Sequence, residues 1–403
     1  MTSMSPASNP ATARGLLDCD SHCYEPRDSF TRYLPTEYLD RAIAPVRVPS
    51  GEEKILAGSR VMVMNSEQGL GFDFAYRPGS LREMLRQMAS GNPDEAYRPE
   101  PMRAEYLERE AREALMTAQG VDRCVLFPAG PAMGAEHYLA DTDALYANLM
   151  SFNRWYDEAW GFDGPRIYAT PLLSFRDLDR AVELTDDIVR RGARVVFIPT
   201  GPAGGRSPAD PYFDPVWARL NEAHVTVALH IQATWYFDAL SPAWGLDPDP
   251  GSWHMSAWQW MNVMGERAAI DTISALIFDN LFGRFPDLRL LVAEHGASWL
   301  PHTLEHMDKS RGMGRNGPWI GGQLAARPSE IFHEFCRVTP FPEDDVPAIV
   351  AGLGGRSRCI VMGSDFPHAE GIAEPADFSK LLEGLTDEQK EGILRENARD
   401  IFA

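Results

Sequence analysis

Five side chains of the kinds that bind divalent metals lie at or just after short apolar segments of the chain. They are Asp20, His22, His230, His295 and Asp365. Successive side chains of a β-strand alternate between its faces, so Asp20 and His22 share one face of the first segment. Each residue alone has an ordinary explanation, as a hydrogen-bonded core residue or a helix cap. Together they indicate a chemical site, because four separate strand ends each supply a carboxylate or an imidazole.

The types of these residues favour a catalytic metal ion over a structural one. Two imidazoles and two carboxylates without a thiolate are typical of a divalent ion that keeps a position open for water or substrate. A divalent ion, Zn²⁺ with Mn²⁺ or Fe²⁺ as alternatives, is expected to bind among Asp20, His22, His230 and Asp365, and His295 is a further possible ligand. Such an ion lowers the pKa of a bound water toward about 7 or polarises a substrate oxygen. Asp365 would then accept or deliver the proton, and His295 would stabilise negative charge or act as an acid.

Eight short apolar runs, separated by segments with helical periodicity, are expected to position these residues. The first run holds Asp20, and the others span 121–127, 166–173, 193–199, 225–230, 288–294, 335–339 and 358–364. In the segments between them, such as 178–191, apolar residues recur at spacings of three and four, which is typical of amphipathic helices. Almost continuously apolar strands that alternate with helices favour a closed parallel α/β barrel. An open doubly wound sheet is the alternative, because spacing alone does not show closure.

The chain is longer than a minimal barrel, which needs about 250 residues. We therefore predict two insertions, at about 27–101 after strand one and at about 231–265 after strand five. The second insertion is rich in tryptophan, including Trp235 and Trp253, and is interpreted as a lid that contacts substrate. A satellite hydrophobic cluster or an oligomer contact is an equal alternative.

Composition limits the partners and the compartment. The formal net charge is −20, which argues against nucleic acid and anionic membranes as partners. Five scattered cysteines are typical of buried thiols in a reducing compartment, so a cytoplasmic location is expected. No stretch stays apolar for long enough to span a membrane. Residues 1–14 are predicted to be a disordered tail before a barrel domain at 15–403.

Two arginines and one further histidine are candidates for contacts with a small-molecule substrate. Arg77 and Arg166 could bind a substrate carboxylate, although a surface salt bridge is the commoner role of such residues. His368 follows Asp365 closely and could contact substrate or add to metal binding.

Several segments resemble the amidohydrolase superfamily, in particular its amidohydrolase-related group, which includes aminocarboxymuconate semialdehyde decarboxylase and the resorcylate-type decarboxylases. The segments are DCDSHCYEP at 18–26, YRPGS at 76–80, FDPVWARLNEAHVTVALH at 213–230, LFGRFPDLRLLVAEHGASWLP at 281–301 and GSDFPHAEG at 363–371. The resemblance covers most of residues 15–403 and implies a distorted (β/α)8 TIM barrel. It also implies that Asp20 stands where many members have a histidine, that His22, His230 and Asp365 are the other metal ligands, and that His295 is the active-site histidine after strand six. Asp18 matches no metal-binding position in the family and is expected to be a buried polar support.

The resemblance implies an enzyme without an organic cofactor, and two reactions fit the candidate residues. The first is non-oxidative decarboxylation, by a carboxy-lyase, of a small aromatic or unsaturated carboxylic acid. The second is metal-dependent hydrolysis of a lactone, an amide or a related bond. An iron-dependent oxygenase would need a second metal, and an inactive partner subunit is disfavoured because the ligands are retained.

The same resemblance implies a homodimer or larger homo-oligomer. It also bears on the number of metal ions, because some superfamily members use a carboxylated lysine to bridge two ions. The sequence Phe197-Ile198-Pro199 places no lysine at the end of strand four. A mononuclear site is therefore predicted.

Overall fold

The structure of the chain, a computed structural model, describes residues 15–66, 72–90 and 99–402. The predicted disordered tail at 1–14 lies outside the described residues. None of the described helices is both long and apolar enough to cross a membrane. All five cysteines are buried free thiols, as their scattered positions indicated.

Parallel strands form the centre of the fold. In chain order the described strands are β1 (Leu16–Cys23), β2 (Ile43–Arg47), β3 (Glu53–Ala57), β4 (Arg60–Val61), β5 (Phe74–Ala75), β6 (Glu100–Pro101), β7 (Val121–Pro128), β8 (Ile167–Ala169), β9 (Val195–Phe197), β10 (Thr226–His230), β11 (Arg289–Ala293) and β12 (Cys336–Val338). Strands β1, β7 and β8 form one parallel sheet, and β9 to β12 form another. A parallel bridge from Leu172 to Phe197 joins the two sheets along one edge.

The other edge is closed by an irregular eighth segment. The run predicted as strand eight, 358–364, joins β12 through a bridge at Ile360, and Phe366, two residues after this run, joins β1 through a bridge to Ser21. The amide of Asp365 also donates to the carbonyl of Asp20 across 2.7 Å. The ring of eight parallel segments is therefore closed, which confirms the predicted barrel over the open sheet.

Helices surround this barrel. The described α-helices span Val63–Ser66, Leu81–Ser90, Ala104–Leu107, Arg109–Gln119, Pro131–Tyr138, Thr142–Trp160, Leu178–Arg190, Asp214–Glu222, Trp235–Ala243, Ala257–Gln259, Glu266–Phe278, Leu281–Arg284, Leu300–Met313, Pro328–Phe335, Val346–Gly352 and Asp387–Leu394. Short 3-10 helices span Thr36–Arg41, Pro211–Phe213, Ser252–His254, Pro375–Leu382 and Glu396–Ala398, and a π-helix spans Trp260–Met264. The helix Leu178–Arg190 illustrates the local causes, because Asp177 caps its first turn and the buried side chains Leu184 and Ile188 are four residues apart.

Two long connections contribute to one cavity at the carboxyl ends of the strands. Within 27–101, β2, β3 and β4 form an antiparallel sheet, and β5 pairs antiparallel with β6. Within 231–265, the chain forms the helix Trp235–Ala243 and the π-helix Trp260–Met264. Residues of both connections line the cavity described below. That they are insertions into a minimal barrel stays a prediction.

Candidate metal centre

The barrel brings polar side chains from four of its segments to one end. His22 lies near the end of β1, and His230 is the last residue of β10. Glu294 directly follows β11, and Asp365 follows the irregular eighth segment. Because all segments run parallel, these carboxyl-terminal positions share one face of the barrel. Both histidines and Asp365 are buried there.

The two histidines present unprotonated nitrogens to each other. The Nδ1 atom of His22 lies 3.2 Å from the carbonyl oxygen of Pro128, and that of His230 lies 3.0 Å from the carbonyl oxygen of Ile231. A carbonyl only accepts hydrogen bonds, so each Nδ1 carries the proton and each Nε2 keeps a lone pair. The two Nε2 atoms are 3.1 Å apart. Burial and the neighbouring His368 lower the pKa of His22 to about 3, which keeps its ring neutral.

Asp20 adds a carboxylate oxygen to this pair of nitrogens. Its Oδ1 lies 3.5 Å from His22 Nε2 and 3.4 Å from His230 Nε2, and it has no hydrogen-bond partner among the described residues. Three acceptor atoms therefore converge without protons between them. A divalent cation fits this nitrogen and oxygen donor set.

A second group of potential ligands adjoins the first. The first group comprises Asp20, His22 and His230, and the second comprises His22, Glu294, Asp365 and His368. Within each group the ligand atoms all lie within 4.8 Å of one another. Burial, followed by the negative charges of nearby carboxylates, raises the pKa values of Asp365 and Glu294 well above their usual range. Too many carboxylates are gathered here to remain ionised without a cation.

Asp18 supports the last barrel segment, as predicted, and is not among the potential metal ligands. Its carboxylate accepts hydrogen bonds from the Ser364 amide at 2.9 Å and from the Ser364 hydroxyl at 2.6 Å. Burial raises the pKa of Asp18 to about 7. A Cβ atom at Gly363 would lie 2.7 Å from the Cβ atom of Asp20, so glycine is needed for this close approach. These contacts place Asp365 beside Asp20.

Sequence reasoning missed one positioning residue, Arg112. Its guanidinium is buried and donates to the Ser21 hydroxyl, to the backbone carbonyl of His22 and to the carbonyl of Glu105. It thereby fixes the backbone at the carboxyl end of β1. The sequence contained one indication of this role. Arg112 lies four residues before the apolar Met116, which places both side chains on the same, buried face of helix Arg109–Gln119.

His295 lies buried but outside both ligand groups. Neither ring nitrogen has a hydrogen-bond partner among the described residues. Burial and the adjacent His230 lower the pKa of His295 to about 3, so its ring is neutral at pH 7. A neutral imidazole can donate one hydrogen bond to a developing negative charge, and the predicted catalytic role of His295 stays a prediction.

The structure brings some predicted substrate contacts to the cluster and leaves others apart. His368 lies against His22, with ring centroids 4.0 Å apart, and its Nδ1 is 2.7 Å from Asp365 Oδ1. Trp253 lines the same cavity as His368. Trp235 is 50% exposed and lines a separate cavity of about 540 Å³, so it does not share the position of Trp253.

The structure places neither arginine at the cluster. Arg77 is exposed and pairs with Glu83 at 2.5 Å, which is the surface salt bridge kept as its alternative. Arg166 donates to the carbonyls of Val121 and Asp122 and to the hydroxyl of Thr117. Val121 begins β7, so Arg166 lies at the amino-terminal end of the barrel, opposite the cluster. Arg166 directly precedes β8, and residues that precede a barrel strand lie at the amino-terminal end of the barrel.

A cavity of about 610 Å³ opens onto the cluster. Its walls are largely aromatic or apolar and include Tyr24, Phe72, Met84, Trp253, Trp260 and Met264. Its ionisable lining residues are the carboxylates Glu25, Glu294 and Glu370 together with His368, and no lysine or arginine is among the described lining residues. The cavity therefore suits an apolar or aromatic molecule whose polar part reaches the cluster.

The chain matches one family over nearly its whole length. Residues 19–403 match the family described as Amidohydrolase. The chain belongs to the amidohydrolase family. Among solved structures, this amidohydrolase is similar to an amidohydrolase from Mycobacterium avium subsp. paratuberculosis, with 30% identity, a TM-score of 0.83, and coverage of 98% of this chain and 100% of that chain. A comparison with curated proteins found no match.

Other structures with the fold of this amidohydrolase are decarboxylases. The 5-carboxyvanillate decarboxylase from Sphingomonas paucimobilis is 18% identical, with a TM-score of 0.56 and coverage of 72% of this chain and 82% of that chain. A dihydroxybenzoic acid decarboxylase from Polaromonas, with bound manganese and the inhibitor 2-nitroresorcinol, is 16% identical, with a TM-score of 0.58 and coverage of 97% of each chain. At these identities the likeness shows a shared barrel fold.

Proposed function

We propose that the protein is a metal-dependent carboxy-lyase that removes carbon dioxide from a small aromatic or unsaturated carboxylic acid. The convergence of Asp20, His22 and His230 beside Asp365, at the base of an aromatic-lined cavity, carries this proposal. The decarboxylases with the same fold support it, and one of them has bound manganese. We expect Zn²⁺, Mn²⁺ or Fe²⁺ as the ion.

The ligand residues would hold the divalent ion, with Asp20, His22, His230 and Asp365 as its donors. When bound, the ion supplies positive charge that fixes an anionic substrate oxygen and withdraws electrons from the reacting carbon. The chain supplies the rest of the chemistry. Its apolar cavity excludes water, and His368 lies within hydrogen-bond distance of Asp365, the proton donor.

The proposed reaction exchanges a carboxylate for a proton on one carbon. The bond between that carbon and the carboxylate breaks, carbon dioxide leaves, and the electron pair stays on the carbon. A proton from Asp365 then forms the new carbon–hydrogen bond.

Hydrolysis of a neutral lactone, amide or ester is the second candidate, and one observation favours it. The described lining of the cavity contains Glu25, Glu294 and Glu370 but no lysine or arginine. An anionic substrate would therefore depend on the metal alone to offset repulsion from these carboxylates. In this reaction Asp365 would act as a base, and His295 would donate to the oxyanion.

The experiment compares product formation from two substrate panels. Protein loaded with Zn²⁺, Mn²⁺ or Fe²⁺ is incubated with ortho-hydroxy aromatic acids and, separately, with lactones and esters. We expect release of carbon dioxide from the acids, with loss of that release after chelation and in Asp365→Asn. Acid production from lactones without carbon dioxide release would replace the carboxy-lyase with the hydrolase.

A further inference from the structure

We propose that the chain binds a second divalent cation, held by Glu294, Asp365 and His368, beside the ion held by Asp20, His22 and His230. This inference rests on the proposed metal centre and goes beyond its single ion. It also departs from the mononuclear site predicted above. Six side chains from four parts of the barrel rim then form one dinuclear site.

His22 has one ring nitrogen free to bind an ion, so it can serve only one of the two ligand groups. His22 belongs to both potential ligand groups, but its Nδ1 is bonded to the carbonyl of Pro128. Only its Nε2 is free to bind an ion, and this atom faces His230 at 3.1 Å. His22 therefore serves the first ion. Three ligands, Glu294, Asp365 and His368, remain for a second.

Asp365 lies between the two sets. Its Oδ1 is 3.3 Å from His22 Nε2 on one side and 2.7 Å from His368 Nδ1 on the other. A carboxylate has two oxygens and can bind one ion with each. Asp365 would therefore give one oxygen to the second ion and keep the other for the proton of the proposed reaction.

Glu294 reaches the cluster because of its backbone. Its φ of 53° lies in the left-handed region, which ends the extended course of β11 and turns its carboxylate toward the other ligands. Its Oε2 lies 3.2 Å from His230 Nε2. Non-glycine residues adopt this conformation infrequently, and such residues concentrate at functional sites. Asp365 also has a φ of 53°.

Charge balance also favours two ions over one. The ligand set contains the three carboxylates of Asp20, Glu294 and Asp365, and the cavity adds Glu25 in its wall and Glu370 at its rim. One divalent ion would leave the three ligand carboxylates with one negative charge in excess. A second ion would change this to one positive charge, which the carboxylate of Glu370 offsets. Glu25 is 3% exposed, and its Oε1 has no hydrogen-bond partner among the described residues.

The one-ion and two-ion arrangements differ in the role of His368. In that case the His368 Nδ1 proton bonds to Asp365 and only orients it. In the two-ion arrangement Nδ1 is unprotonated and binds the second ion. The amount of metal bound and the magnetic coupling between ions distinguish these arrangements without any assay of turnover.

The experiment loads the full-length protein with Mn²⁺, removes unbound ion by gel filtration, and measures manganese per chain by elemental analysis. Electron paramagnetic resonance is recorded on the same samples. We expect two equivalents in the wild type with a spectrum of spin-coupled ions. His368→Ala is expected to retain one equivalent with a spectrum of isolated Mn²⁺. Glu370→Gln removes a nearby carboxylate that is in neither ligand group, and is expected to retain two.

Each outcome decides between the arrangements. One equivalent of uncoupled Mn²⁺ in the wild type at saturating concentration would overturn the second ion while leaving the proposed one-ion function intact. Two coupled ions in a folded His368→Ala variant would overturn the assignment of His368. Absence of any bound ion would instead reject the metal centre itself. The wild-type spectrum needs no substitution, so the test holds even where a variant fails to fold.

Discussion

His22 and His230 hold their Nε2 atoms 3.1 Å apart, while the Nδ1 atom of each is bonded to a backbone carbonyl. The backbone thereby selects the tautomer of both rings before any ion is present. Such partners fix the orientation of a metal-binding imidazole and increase its basicity. Both histidines are therefore preorganised to bind an ion with little rearrangement.

Removal of one of these imidazoles is expected to release the ion. We predict that His230→Ala weakens metal binding by about 100-fold or more, because it deletes a direct ligand. Metal content after dialysis, measured by elemental analysis with circular dichroism on the same sample, provides the check. The control is His306→Ala, which changes an exposed histidine of helix Leu300–Met313 and should keep the wild-type metal content. A folded His230→Ala protein with undiminished metal would contradict the ligand assignment.

Arg112 is expected to matter for both stability and metal binding. Replacement by Met leaves the acceptors Ser21 Oγ and His22 O without their donor, at a cost of about 3 kcal/mol in the free energy of unfolding. Because one acceptor belongs to a metal ligand, the affinity for Mn²⁺ should also fall. Denaturant unfolding and metal titration measure the two effects.

The control for Arg112→Met lies on the same helix. Arg109 pairs with Glu113 at 3.0 Å and is partly exposed, so Arg109→Met should cost less than about 1 kcal/mol and leave metal affinity unchanged. Equal effects of the two substitutions would show that Arg112 has no special position.

The two tryptophans that sequence reasoning treated alike are expected to behave differently. Trp253 lines the cavity above the cluster, whereas Trp235 lines another cavity. We predict that Trp253→Ala weakens binding of an ortho-hydroxy aromatic acid to the metal-loaded protein by about tenfold, because a large aromatic contact is lost. Trp235→Ala should change it less than about twofold. Calorimetric titration measures both, and the reverse order would place the substrate elsewhere.

Glu25 should make stability depend on pH. Burial raises the pKa of Glu25 from 4.5 to about 8, so the folded state binds this proton more tightly than the unfolded state. The stability contributed by the proton is present below pH 4.5 and is lost as pH rises through about 8. Relative to Glu25→Gln, the wild type should lose up to about 5 kcal/mol over this range.

Denaturant unfolding of chelator-treated protein at several pH values tests this expectation. The matched substitution Glu52→Gln changes an exposed carboxylate, and its difference from the wild type should stay constant within about 0.5 kcal/mol. A constant difference for Glu25→Gln as well would mean that the Glu25 carboxyl is solvated.

The barrel and the first ligand group could be predicted because they follow simple periodic rules. Asp20 and His22 share a strand face by alternation, and His230 ends a continuously apolar strand. Glu294 could not be placed in this way. If β11 continued as an extended strand, Glu294 and the adjacent His295 would point to opposite faces. The left-handed backbone of Glu294 ends the extended geometry, so strand alternation does not predict where its side chain points.

Long side chains and loop aromatics were harder to place for a different reason. Arg112 occupies the inner face of a helix, and its charge made it resemble the many solvent-exposed residues of that helix. Trp235 and Trp253 belong to the same connection, yet a helix and a 3-10 turn direct them to different cavities. Sequence composition locates such a connection without specifying its path.

The closure of the barrel between β1 and the eighth segment also constrains when the metal centre can form. Asp20 comes from the first strand, and Asp365 follows 345 residues later, with their backbones joined by the amide of Asp365 and the carbonyl of Asp20. A nascent chain on the ribosome therefore cannot assemble the full ligand set until Asp365 has been synthesised. Occupation of the full ligand set thus reports that β1 has joined the eighth segment.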